Sequence, residues 1–156
     1  MSGALLCVGA RPARLTLPTG AVCGGYNPKG TVGFGEFRGS LAAFLFTWPD
    51  GDVSVRPTKL QKVGGAGLAC VDEPEHGPKF GADSLVIPLS SEGGNNPTAA
   101  RNKLGTYYDR LPGGGESIFA PGEPTVTTLT SLKVLVGVYA PGEEIPNSDA
   151  QPFALS

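Results

Sequence analysis

A chain with one histidine has few ways to do nucleophilic or acid–base chemistry. That histidine is His76. The nearest thiol, Cys70, lies six residues before it, and a thiol needs such a base to act as a nucleophile. Nothing in the spacing itself brings the two together. All three cysteines sit in apolar surroundings, in Leu6-Cys7-Val8, Val22-Cys23-Gly24 and Ala69-Cys70-Val71, which reads as buried structural thiol. Asp72, Glu73 and Glu75 form an acidic group with oxygens suited to calcium; a solvated loop face is the simpler reading. Gly33-Phe34-Gly35 followed by Gly39 misses the dinucleotide fingerprint by one position, and a β-type run follows it rather than a helix. Among 14 acidic residues no spacing singles out a catalytic pair. No catalytic, cofactor-binding or metal-binding residue is assigned, and the expectation is a protein that is not an enzyme.

Charge and composition narrow the classes further. Twelve basic residues stand against 14 acidic ones, for a net charge of −2. No run of like charge supplies the clustered cations that nucleic-acid binding draws on, so no nucleic-acid partner is expected. The longest apolar stretch, Leu41 to Trp48, is far shorter than the roughly 20 residues of a membrane helix, so no membrane insertion is expected. Arg11 and Arg14 follow the first apolar segment instead of preceding it, the wrong order for a secretory signal. With an odd number of cysteines at irregular spacing, this points to a cytoplasmic setting.

Glycine (24) and proline (15) make up a quarter of the 156 residues, and they fall between apolar runs, as turns between short strands require. Strands are expected at 4–8, 13–17, 21–26, 41–48, 59–63, 67–71, 85–89, 117–119 and 132–140. The run Phe44, Phe46 and Trp48 alternates within the strongest of them, suggesting a strand covered on both sides; Phe44, Phe46 and Leu135 are expected in the core. Pro49-Asp50-Gly51 signals a hairpin returning through Val53 and Val55. Residues 98–110 carry the one helical expectation, and 141–156 form a polar tail that folds back onto the body or is partly mobile. The fold class is mainly β, a single domain over 1–156 built as a two-sheet antiparallel β-sandwich with one or two short peripheral helices.

The order of these elements resembles a known family. An apolar strand at 4–8 precedes Ala21-Val22-Cys23-Gly24-Gly25-Tyr26, a glycine-rich loop, and the strand ending Phe44-Leu45-Phe46. Lys79-Phe80-Gly81 then comes before Leu85-Val86-Ile87, and Leu132-Lys133-Val134 opens a closing strand. This is similar to the TLDc domain, the module of the oxidation-resistance proteins. Cys23 stands where that family usually has Phe, the closing strand lacks its Trp, and no counterpart of the family's first strand and helix precedes Ala4. The chain therefore resembles a divergent or N-terminally shortened member. The resemblance implies a non-enzymatic protein-binding module without a cofactor, linked to oxidative-stress protection. Its implied partner is the vacuolar-type ATPase or another multi-subunit assembly. The structural motif it marks is Gly24, Gly25, Tyr26, Phe44, Phe46, Phe80 and Gly81. The two glycines are expected to answer to backbone geometry.

Two other classes are open. A lectin-like, carbohydrate-binding sandwich would use Asn95, Asn96, Tyr107 and Tyr108, and a hydrolase would use Cys70 with His76 or an unmarked carboxylate pair.

Overall fold

The computed structural model describes residues 11–28, 37–65, 67–73, 77–87, 99–119, 124–134 and 140–142. Eleven strands run through them: β1 (Arg11–Thr16), β2 (Val22–Asn27), β3 (Phe37–Arg38), β4 (Phe44–Trp48), β5 (Thr58–Gln61), β6 (Cys70–Glu73), β7 (Gly77–Phe80), β8 (Leu85–Val86), β9 (Ala99–Asn102), β10 (Val126–Thr128) and β11 (Ser131–Val134). They form a five-stranded sheet in the order β11-β1-β2-β4-β5 and a six-stranded sheet in the order β10-β9-β8-β7-β6-β3. Every pairing is antiparallel. One buried cluster takes Cys23, Leu45 and Leu60 from the first sheet and Cys70, Phe80 and Leu85 from the second, as a β-sandwich requires. The expected fold class is present, without the short helices among the described residues.

The sheets meet where a side chain is missing. In the register of β2 on β4, Gly25 faces Leu45, which in turn faces Leu60 of β5; all three point inward. A Cβ on residue 25 would stand 2.7 Å from Cε1 of Phe80 and 2.8 Å from its Cδ1 and Cζ. The ring is fully buried between Cys70 and Leu85, its partners on the neighbouring strands, so it has nowhere to retreat. Glycine at 25 sets how closely β2 can approach the second sheet.

Strand β4 buries its inner side fully and its outer side only in part, short of the cover on both sides that its continuous apolar run suggested. Leu45 and Thr47 are fully buried on the inner side, and Phe46 is 6% exposed on the outer side. Phe44 is only half-buried, and the member of this strand that joins the central cluster is Leu45, a correction that follows from register with Gly25. Leu135 lies outside the described residues. The strand also starts later than expected. Ser40 Oγ accepts the Ala42 N–H at 3.2 Å, and its carbonyl accepts the Ala43 N–H at 3.4 Å, folding 40–43 into a turn that leaves Leu41 53% exposed.

The hairpin after Trp48 is present, but Val53 and Val55 are not its return strand. Asp52 Oδ1 accepts both the N–H and the hydroxyl of Ser54, at 3.0 and 2.6 Å, the local capping that competes with a ladder. Trp48 Nε1 donates to the Val55 carbonyl at 2.7 Å. Both valines are exposed, and pairing with β4 begins only at Thr58.

The helical expectation at 98–110 fails, because its first part is β9. Ala100, Asn102 and Leu104 are buried while Arg101, Lys103 and Gly105 are exposed, a period of two that a helix does not have. An isolated helix of one or two turns is marginal in water, whereas β9 gains ladders to both β8 and β10. Residues 117–119 are likewise a buried turn and no strand: Asn102 Oδ1 accepts the Ile118 N–H at 2.8 Å, and Ile118 and Phe119 are fully buried. The closing strand is β11, paired with β1 alone at a sheet edge among the described residues; it was expected to be long and central. Strands β3, β7 and β10 lie where no strand was expected. The apolar segment 4–8 and nearly all of the tail lie outside the described residues.

Gly25→Ala is expected to lower stability by about 1 to 3 kcal/mol through overpacking. Adding Phe80→Leu should recover part of that loss in a double-mutant cycle read by urea denaturation. Additive losses would show that the two residues do not meet.

Candidate binding surface

Three of the segments that carry the family resemblance, 21–26, 44–46 and the one around Phe80, come together in the structure. Gly25 and Phe80 touch across the sandwich. Tyr26 pairs with Phe44, and Gly24 with Phe46, in the β2–β4 ladder. Gly81 has a positive φ of 65°, and a Cβ there would lie 2.9 Å from Cβ of Tyr107 and 3.0 Å from Oγ of Ser84. Close approach requires glycine at 25, and close approach with a positive φ requires it at 81.

On the outer side of the five-stranded sheet the aromatic rings form a continuous row. Tyr26 and Phe44 have centroids 5.1 Å apart, Phe44 and Phe46 6.3 Å, and Phe46 and Trp48 5.5 Å. Lys59 Nζ lies 4.0 Å from the centroid of Phe44, a cation–π contact of about 0.5 to 1 kcal/mol at an exposed site. The alternation of Phe44, Phe46 and Trp48 was visible in sequence. Tyr26 and Lys59 join it only through strand pairing. Successive rings are tilted by 36°, 58° and 75°, so they pack against one another and present no coplanar platform of the kind a sugar chain stacks on.

The tyrosines proposed for sugar binding have other work. Tyr108 is fully buried and its hydroxyl donates to the Ala69 carbonyl at 2.6 Å. Tyr107 is half-buried over Gly81. Lys62 lies beside both, its Nζ 5.6 Å from the Tyr107 centroid and 5.2 Å from that of Tyr108, and it donates to the Gly64 carbonyl at 2.6 Å. Partial burial lowers the Lys62 pKa from its ordinary value. Asn95 and Asn96 lie outside the described residues.

The thiols behave as their apolar contexts suggested. Cys23 and Cys70 are fully buried and belong to no disulfide, and burial pushes the Cys23 thiol far above its ordinary value of 9.0. A thiol held neutral in the core is a poor nucleophile. His76 and Glu75 lie outside the described residues, while Asp72 and Glu73 fall in β6, so the acidic group is not wholly a loop. Among the described residues no group of three or more His, Cys, Asp or Glu is placed to hold a metal ion, and no helix is long and apolar enough to cross a membrane.

No family model matches this chain, and no curated protein or solved structure is significantly similar to it.

The buried thiol has a consequence at alkaline pH. The unfolded chain releases the Cys23 proton as pH rises above about 9, while the folded state keeps it, so stability is unaffected below that pH and falls above it. The urea midpoint of the wild type should drop more steeply than that of Cys23→Ala between about pH 9 and 10. In a Cys7→Ser background, Ellman's reagent should titrate neither remaining thiol in native buffer and both after denaturation. A rapidly reacting thiol in the native state would overturn the assignment.

Proposed function

We propose that this chain is a non-enzymatic protein-binding module of TLDc type, acting in oxidative-stress protection through a vacuolar-type ATPase or another multi-subunit assembly, in the cytoplasm. One observation carries the reading. Three of the segments that suggested the family form one structural unit: 21–26 and 44–46 meet as β2 and β4, and Phe80 closes on Gly25 from the opposite sheet. The sandwich architecture agrees with what the resemblance implies.

Binding by contact also suits the chemistry. The strongest feature of the five-stranded sheet is its aromatic row, and the buried thiols of Cys23 and Cys70 are poorly placed for reaction. Aromatic residues are favoured where proteins meet proteins.

The test is gel filtration of the purified chain with a purified vacuolar-type ATPase, backed by affinity capture from lysate. Co-elution with the pump is the expected result. Separate elution removes the pump as partner, and capture that enriches no protein over empty resin overturns the protein-binding reading itself.

A further inference from the structure

Among the described residues the two sheets end in four edge strands, and three of these are guarded. β11 carries exposed Lys133, and β5 carries exposed Lys59. β5 is also met on its open side, where the Asp109 N–H donates to the Gln61 carbonyl at 2.9 Å and the Val63 N–H to the Tyr107 carbonyl at 2.9 Å. β3 has only two residues. A charge, a cover or a very short strand keeps an edge from pairing with another chain. β10 has no such side chain: the run Thr125 to Leu132 holds no charge, glycine or proline, and β-prone runs of that kind pair readily when exposed at an edge.

The register shows which backbone groups β10 leaves open. The Asn102 N–H donates to the Thr125 carbonyl at 2.8 Å, and bonded and non-bonded positions alternate along an antiparallel pair. Thr125 and Thr127 therefore turn their backbone groups to β9. Val126 and Thr128 turn theirs the other way, to the side where no strand follows among the described residues. Their side chains are open as well, Val126 being 48% exposed and Thr128 exposed. The next outward-turned positions are closed: Pro124 has no N–H, and the Thr130 N–H donates to the Thr16 carbonyl at 3.1 Å.

We propose that β10 pairs antiparallel with β10 of a second copy of this chain, about a two-fold axis at Thr127, joining the two six-stranded sheets into one. Val126 of each copy exchanges both backbone hydrogen bonds with Thr128 of the other, and Thr127 faces its own counterpart at a non-bonded position. Shifted registers set Val126 or Thr128 opposite Pro124 or Thr130, whose N–H is missing or already bonded, so this register satisfies the most groups. The occupant is a second copy because the strand is its own complement. β-Branched Val126 lies opposite β-branched Thr128, a pairing that sheets favour, and no like charges meet. Arg101, beside Val126 in the same row, stands three strand spacings or roughly 14 Å from its counterpart, beyond the screening length of about 8 Å at physiological salt. With the other edges guarded, a two-fold contact closes at two copies. So short a pairing is weak, and the dimer forms as concentration rises. The inference goes beyond the protein-binding reading and does not depend on it.

Sedimentation velocity of the full chain from about 10 μM to about 1 mM, the range of weak contacts, tests this. The sedimentation coefficient of the wild type should climb from the monomer value towards that of a dimer. Val126→Lys with Thr128→Lys sets lysine opposite lysine twice and should stay monomeric, while Val126→Lys with Thr128→Glu sets opposite charges together and should dimerise at least as well as the wild type. In hydrogen exchange read by NMR, the amides of Val126 and Thr128 should gain protection only in the concentrated sample, and that of Thr127 should be protected in both. Val126→Pro deletes an outward N–H and no bond to β9. It decides the matter if the double-lysine variant gives no cooperative melt, and should weaken association by about tenfold. A wild type that stays monomeric throughout overturns the proposal. So does a folded double-lysine or proline variant that associates as tightly as the wild type, or a lysine–glutamate variant as monomeric as the double-lysine one.

Discussion

The contact between Gly25 and the ring of Phe80 is the constraint on which the sandwich depends. Two packed sheets stand about 10 Å apart because side chains from each fill the space between them. At this point one sheet contributes none, and the other contributes a whole phenyl ring. Phe80 then occupies the space above β2 and fixes its own neighbours: Cys70 and Leu85 lie beside it in the second sheet, and Leu45 stands next to Gly25 in the first. Any side chain at 25 would force either a wider gap between the sheets or a rotation of a ring that the core encloses.

That arrangement explains why β4 is two-faced. With Leu45 directed at the core by its pairing with Gly25, Phe44, Phe46 and Trp48 must point outward. They pack on one another, and Phe46, in the middle of the row, is the one of the three that is buried, as expected of it. The loops are held by polar links at the core margin. Thr47 donates to the Ile118 carbonyl at 3.1 Å, Asn102 accepts from the Ile118 N–H, and Tyr108 reaches the Ala69 carbonyl. The two bonds to Ile118 satisfy backbone groups in a buried turn that has no ladder of its own, as buried chain requires.

The outer face of one sheet and the open edge of the other differ in kind. The face is aromatic, with Lys59 lying over it; the edge at β10 is uncharged and offers backbone groups. Both are suited to recognition by contact, which is how a protein-binding module would use its sheets. Neither brings a nucleophile and a base together among the described residues.

Composition and local pattern alone determined that the chain is strand-rich, that Gly and Pro punctuate it, that the cysteine contexts are apolar, and that Asp50-Gly51 turns the chain. These properties are local, so neighbouring residues express them. Residues 98–110 show the limit of such reasoning: helix-forming residues outweighed an alternation of Ala100, Asn102 and Leu104 that was equally present in the sequence. Only tertiary structure decided that this segment is a strand, that Leu45 belongs to the central cluster while Phe44 lies outside it, and that β11 sits at an edge. The same holds for the sites. Tyr26 joins Phe44, and Val126 is turned outward beside Arg101, through registers between strands distant in sequence. A register shift of one residue would send every one of those side chains to the opposite face, and no local sequence signal records which register two distant strands will take.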